Sequence, residues 1–575
     1  MTNKNTFFIT TPIYYTNGIP HIGHAYSSLI ADSIARYNRI SGKKVKFSTG
    51  VDENSQKVVP KAEEKWLSIK EYLDLMAEEH KKVWDWLKIE YTDFVRTTDE
   101  THHKLVREVL QKSFDNGDIY EGEYEGMYCV GCEAFKKDED LVYMNKTTKE
   151  TFPISDKVKP TENIIKVCPD HLKEPDTIKE KNYFFKLSKY QKFLEDFYEK
   201  NPEFIQPADR FNEVKAFVKR GLEDFSISRE TNKFWVKLPF DESQVTYVWY
   251  DALFNYVTVT TPKWQEKECS KAPKLENWQS YWPADLHVVW KDIIRFHWIY
   301  WPAMLKSAGL ELPKNILTTG FFTVDGQKIS KSLWNAIDPV EFSEKYSKDL
   351  LTLYLLSSFN IGQDWDFDQS QAVLTYNAKL ANNLGNLVNR VVVLSLKLKE
   401  ESWKLYWNLS TENLWIFKWL NFETSSLWKK IEDWIEKITG FDWSISWSIF
   451  LLNENFNNEI KKFNLKNSLD LNFKFLDALN DFTTQKEPWK TIKEDEETTR
   501  EVLYTIAEWL RQVWLNLYVF FPEKMAEMFK KLGLQDYKKR LENWELEKLR
   551  VEKPIFEIKE KWEPLFKRVE IQEKS

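Results

Sequence analysis

The opening stretch constrains the fold more than any other. TFFITTPIYYTNGIPHIGHAYSSLIADSIARYNRI starts as a short apolar run, passes through a Pro/Gly/Asn loop and continues with apolar residues at helical spacing; KVKFSTGVDE then supplies a second apolar run. This predicts a β-loop-α-β unit, and therefore a parallel sheet, because the helix must carry the chain back before the next strand can pair. Ligands of such sheets sit at the carboxyl ends of the strands, which points to the loop before His21. From about residue 120 to 234 the pattern breaks into short, charged, cysteine-bearing pieces, as an insertion would. VTYVWYDALFNYV and LHVVWKDIIRFH read as strands that resume the sheet. After Asp368, periodic runs such as AKLANNLGNLVNRVVVLSLKLK and EVLYTIAEWLRQVWLNLYVF predict a helical domain.

A chain of 575 residues exceeds one compact core, so several domains are expected. Lys+Arg 82 against Asp+Glu 89 gives a net charge of −7, which argues against wholesale nonspecific binding to nucleic acid but allows local basic grooves. No signal-peptide pattern opens the chain, and no stretch of about 18 apolar residues suggests a membrane span, so a cytoplasmic protein without membrane attachment is expected. Cys129-x-x-Cys132 and Cys168-x-x-His171 supply four ligands suited to tetrahedral zinc, with Cys269 left over. The plain alternative for those four is a set of inert thiols and a surface histidine.

Two further motifs carry chemistry. In Pro20-His21-Ile22-Gly23-His24 the histidines are three apart at a helix start, on one face beside amides that already favour an anion. Gly23 between them leaves room for a ligand against the backbone. On its own, such a pair is more often two ordinary helix-start histidines. Asp325-Gly326-Gln327-Lys328-Ile329-Ser330-Lys331-Ser332 is a doubly cationic loop suited to clamping a polyphosphate, since ammonium groups can follow charge onto leaving pyrophosphate. Alone it could equally be a solvated loop.

Together and in this order the two resemble the HIGH and KMSKS signatures of class I aminoacyl-tRNA synthetases, standing here as HIGH and KISKS. TTPIYYTNGIPHIGHAY, YVWYDALFNY, FHWIYWPAML, DGQKISKS and KEPW are similar to the methionyl-tRNA synthetase family in particular, over about residues 6 to 568. The resemblance implies an α/β fold: a Rossmann-like parallel-sheet catalytic domain (1–119 and 235–310) split by a connective insertion with a zinc knuckle (120–234). A KISKS-loop linking region (311–375), an α-helical anticodon-binding domain (376–530) and a carboxyl-terminal tail (531–575) would follow. It implies activation of methionine with ATP and transfer to tRNA(Met), the initiator included, by a monomer. Another class I synthetase, or a catalytically impaired tRNA-binding homologue, remains the alternative.

By the same resemblance His21, Gly23, His24, Asp292, Lys328 and Lys331 would bind ATP, accompanied by Mg2+, with His21, His24, Lys328 and Lys331 catalytic. Ile13, Tyr15, Asp52, Trp249, Ala252, Tyr256, Ile293 and His297 would hold methionine, Asp52 at its ammonium with Arg229 keeping that carboxylate ionised. Asn386, Arg390 and Trp489 would read the anticodon by stacking and edge hydrogen bonds. Cys129, Cys132, Cys168 and His171 would hold one structural Zn2+. The chain departs from the family's DEHGQK at Asn54 and Ser55, which bears on the hydrogen bonding around Asp52.

Sixteen glycines and 26 tryptophans complete the picture. Glycine ordinarily makes up about 7% of residues, more than twice its share here. Trp249, Trp282, Trp301 and Trp489 stand where the family also has tryptophan, whereas Trp235, Trp290, Trp298, Trp334 and Trp365 stand at sites that look like glycine. A triplet such as UGA, read as glycine in the source but translated as tryptophan, would account for both anomalies at once.

Overall fold

The computed structural model describes residues 5–570 apart from 56–57, 130–133, 137, 155–160, 170, 231–234, 268–269, 274–280, 325–326, 329–335, 399–403, 406–442, 553 and 559–562. It divides into two compact units, Met1–Ala31 with Val45–Phe321, and Asp32–Lys44 with Phe322–Ser575.

The first unit is built on a six-stranded sheet. Its strands are β1 (Thr6–Tyr15), β2 (Lys44–Asp52), β3 (Asp93–Arg96), β4 (Ile205–Gln206), β5 (Leu286–Trp290) and β6 (Ile316–Thr319), in the order β4-β6-β5-β1-β2-β3. Ile9 pairs with Leu286, Ser48 with Asp93, His287 with Ile316 and Ile205 with Ile316, all in parallel. Such a sheet is covered on both faces, so its strands are apolar throughout rather than alternating: Phe8, Ile9, Val288 and Val289 are all fully buried. From β1 the chain runs to β2 and β3 on one side, while β5 and β6 lie on the other. The carboxyl ends of β1 and β5 therefore flank the point where strand order reverses, the usual ligand crevice of an open α/β sheet.

Strand β4 comes from within the stretch read as an insertion. The rest of that stretch includes a long antiparallel pair, Ile119–Cys129 with Asp176–Phe185, extended to four strands, and a three-stranded sheet around Val142–Asn145. VTYVWYDALFNYV differs from expectation: only Val245–Thr246 is extended, and helices Val248–Leu253 and Asn255–Thr258 follow. Tyr250, Ala252, Leu253 and Tyr256 are all buried, and a run buried on every side carries no period to tell helix from strand.

The second unit is helical. Along Glu496–Leu517, Leu503, Ile506, Leu510, Val513 and Leu517 recur at three- and four-residue spacing and are buried. Helices Asn386–Ser395, Trp443–Lys461 and Leu465–Lys486 belong to the same unit. Phe556 is fully buried where Phe556–Glu557 pairs with Lys404–Leu405, so the carboxyl-terminal stretch is tied into the fold. Among the described residues no helix is long and apolar enough to cross a membrane.

Candidate active site

Helix α1 (Ile22–Ile40) leaves β1 through the loop that carries His21. Backbone amides orient the two histidines. The N–H of His21 donates to His24 Nδ1 at 3.0 Å, and the N–H of Gly23 donates to His21 Nδ1 at 3.1 Å. A ring nitrogen that accepts cannot carry the proton, which leaves each Nε2 as an N–H donor. The rings lie 3.9 Å apart at the helix start, so two donors join the amides at the positive end of α1. Gly23 makes this possible: a Cβ there would stand 2.9 Å from His21 Cε1. The arrangement suits an anion with several oxygens.

The proposed side-chain pocket is aromatic. Trp249 stacks on Phe296 at 3.9 Å, with Tyr15 edge-on to it at 6.5 Å. Ala252 follows one turn after Trp249 on the same helix and is buried. His297 Nδ1 faces the Ile293 carbonyl at 3.0 Å, so Nδ1 bears the proton and Nε2 accepts from the Tyr256 hydroxyl at 2.8 Å. Burial without an acidic partner pulls the His297 pKa down to about 4 and pushes that of Tyr256 up, so both are neutral. Behind them His287 accepts from Trp301 Nε1 at 3.3 Å and meets Thr10 Oγ1 at 2.7 Å; desolvation holds its pKa well below the ordinary value.

Asp52 is the last residue of β2 and is buried, with the Asn54 N–H donating to its Oδ1 at 3.2 Å. The departure at Asn54 acquires a partner that sequence reading did not supply: its side-chain amide donates to buried Asp251. Asp251 also accepts from His102 Nε2 at 2.8 Å, and His102 Nδ1 meets Thr258 Oγ1 at 2.7 Å. Asp251 and His102 were thus missed as supports for the strand end that bears Asp52. The available signal was a carboxylate inside the otherwise apolar VWYDALF, buried and therefore in need of partners. Buried Arg229 lies over Tyr247 at 4.6 Å and donates to Ser226 Oγ at 2.9 Å. Ile13 is half-buried in β1, and Asp292 is exposed in the short turn Lys291–Ile293 after β5.

Lys331 and Trp334 lie outside the described residues, and of Lys328 only the backbone is described, in a strand pair with Thr323. Cys132 also lies outside them. Cys129 Sγ and Cys168 Sγ stand 3.9 and 3.8 Å from His171 Nδ1, and the three ligand atoms lie within 4.8 Å of one another. Ligand atoms of a tetrahedral zinc site are separated by about 3.5–3.8 Å, given bonds near 2.3 Å to sulfur and 2.0 Å to nitrogen. The three therefore fit a metal site. In the helical unit Asn386 and Arg390 are exposed one turn apart, and Trp489 is 38% exposed after Pro488.

Residues 7–392 match the family model of class I tRNA synthetases (M). The methionine–tRNA ligase of Thermotoga maritima is 37% identical over 541 residues, 94% of this chain and 77% of that one. The methionine–tRNA ligase of Bacillus subtilis is 36% identical over 574 residues, covering 99% and 79%. Mycobacterium tuberculosis methionyl-tRNA synthetase, solved in complex with methionyl-adenylate, superposes with a TM-score of 0.82 at 29% identity, covering 98% of this chain and 100% of that one.

Proposed function

Because this chain belongs to the class I tRNA synthetases of the methionine type, we infer that it is a methionine–tRNA ligase, joining methionine to ATP and passing the methionyl group to its tRNA. The observation that carries the reading is the histidine pair pinned through Nδ1 at the positive end of α1, beside the reversal point of the sheet.

The amino-acid carboxylate attacks the α-phosphorus of ATP in line, so the protein has to position reactants and stabilise charge rather than form a bond of its own. His21 and His24 offer Nε2–H donors to the phosphates, Gly23 allows the backbone approach, and Asp292 takes the ribose. Lys328 and Lys331 follow the charge onto pyrophosphate, Lys331 most strongly in the transition state. Magnesium, when bound with ATP, neutralises phosphate charge. Asp52 holds the methionine ammonium, kept ionised by Arg229 and steadied through Asn54. Ile13, Tyr15, Trp249, Ala252, Tyr256, Ile293 and His297 enclose the thioether. A neutral His297 suits that task, since a charged imidazole would repel the ammonium of the substrate and favour water.

Cys129, Cys132, Cys168 and His171 would hold zinc with every position filled by protein, which makes it structural rather than catalytic. Asn386, Arg390 and Trp489 present an amide, a guanidinium and an indole for unpaired anticodon bases, of initiator and elongator tRNA alike. We place the protein in the cytoplasm as a monomer.

ATP–pyrophosphate exchange with purified protein tests the assignment: methionine should support exchange and other amino acids should not. Exchange driven by a different amino acid would sink it. Lys331→Ala should slow exchange by about 10³-fold with methionine binding retained, since a group acting only in the transition state leaves ground-state binding alone.

A further inference from the structure

Eight helix ends among the described residues share one hydrogen-bond pattern. After each, a residue donates to the carbonyl three back, and the next residue donates to the carbonyl five back from itself. Gly42, Gly117, Gly309 and Gly533 hold the left-handed position in four of them, with φ of 94°, 68°, 68° and 82°. In two of the remaining four the position is held by Trp66 (φ 57°) and Trp544 (φ 68°). Trp66 donates to Glu63 and Leu67 to Ala62, both within 3.1 Å; Trp544 donates to Leu541 and Glu545 to Arg540, both at 3.0 Å. This is the closing motif that glycine dominates, because a Cβ crowds the carbonyl in that conformation. Lys88 and Phe463 close their helices in the same way, so a side chain is tolerated, but neither indole is part of a core: Trp66 is 94% exposed and Trp544 46%.

Trp290 is anomalous in another way. It ends β5 at the point where strand order reverses, and its indole lies 4.9 Å from the His24 ring and 5.5 Å from Tyr14. It therefore stands against the histidine that is to meet the phosphates. Trp365, by contrast, stacks on Phe359 at 3.7 Å and edges Phe322 and Tyr354, and Trp235 and Trp298 are buried; their surroundings do not single them out.

We propose that Trp66, Trp290 and Trp544 occupy glycine positions of the working enzyme, and that in the chain as written the indole of Trp290 plugs the nucleotide subsite. The second half rests on the synthetase reading above; the first does not. One cause covers all three, a coding triplet translated as tryptophan that its source reads as glycine.

Equilibrium binding of ATP to the full chain and to Trp290→Gly tests the plug. The variant should bind ATP at least about tenfold more tightly with methionine binding unchanged, and Trp290→Phe should gain little. Equal ATP affinity in both chains would overturn the plug. If Trp290→Gly gains ATP binding but supports no methionine-dependent exchange, the plug stands and the synthetase reading fails; equally fast exchange in both chains has the reverse meaning. Trp66→Gly and Trp544→Gly should each raise the unfolding midpoint, by about 2 °C or more, and a fall would overturn the helix-end assignment. The coding sequence should carry one triplet at 66, 290 and 544 that differs from the triplet at 249, 282 and 301, and UGG at the first three would refute the common cause.

Discussion

Two pairs of histidines in the first unit are held by opposite means. His21 and His24 are gripped from behind by backbone amides, which turns both Nε2–H groups outward. His287 and His297 are gripped by burial, with neighbours that suit only the neutral ring. The first pair is arranged to meet charge and the second to exclude it. One parallel-sheet unit can thus hold a pair of outward donors and a pair of neutral, buried rings without mixing their electrostatics, provided each histidine's tautomer is fixed by a different kind of partner.

The sharpest way to break the comparison is at Gly23. A methyl group there meets His21 Cε1 at 2.9 Å and Nδ1 at 3.0 Å, so the ring must shift and the amide bond that orients it is disturbed. Gly23→Ala should lower methionine-dependent exchange by about 10³-fold, the scale of losing preorganised donors. Methionine affinity, read by calorimetry, should stay within about twofold of the parent. Loss of both to the same degree would show that the two regions are not independent.

The second expected effect is on stability and belongs to the buried pair alone. Unfolded, His297 takes its proton near pH 6.5; folded, it does so only near pH 4. Between those values the unfolded chain binds more protons, so this group's contribution is intact above pH 6.5 and is lost as pH falls. The loss amounts to about 3 kcal/mol by pH 4. Burial of His287 acts in the same direction. Urea unfolding at pH 7.5, 6 and 5 should show the decline, and His297→Gln should flatten it. An unchanged slope in that variant would mean that other groups govern the acid limb.

What could be read in the sequence follows the range of each interaction. The strand-loop-helix start, the HIGH histidines and the helical second unit depend on neighbours within a few residues, and their spacing is visible in one dimension. The tautomers were not visible, because they hang on which backbone amide points where. The support of Asp52 through Asn54, Asp251 and His102 was hidden for another reason: Asn54 and Asp251 lie 197 residues apart and His102 and Asp251 149 apart. VTYVWYDALFNYV was misread as a strand because burial on all sides erased its period. Trp66 and Trp544 escaped notice because a left-handed residue is legible only when it is glycine.

The smallest effect discriminates most finely. Tyr256→Phe removes the hydroxyl that donates to His297 Nε2 and leaves a buried acceptor without its donor. An unsatisfied buried group costs about 1–3 kcal/mol, so stability at pH 7 should fall by roughly that amount. The freed lone pair is then more easily protonated, which raises the folded pKa of His297 toward its ordinary value. The variant should therefore lose less stability between pH 6.5 and 5 than the parent does, and its deficit should narrow on acidification. The KM for methionine should rise several-fold while that for ATP holds, since no amide around His21 or His24 depends on Tyr256. A parallel rise in both KM values would mean that the apolar region also positions the phosphate end.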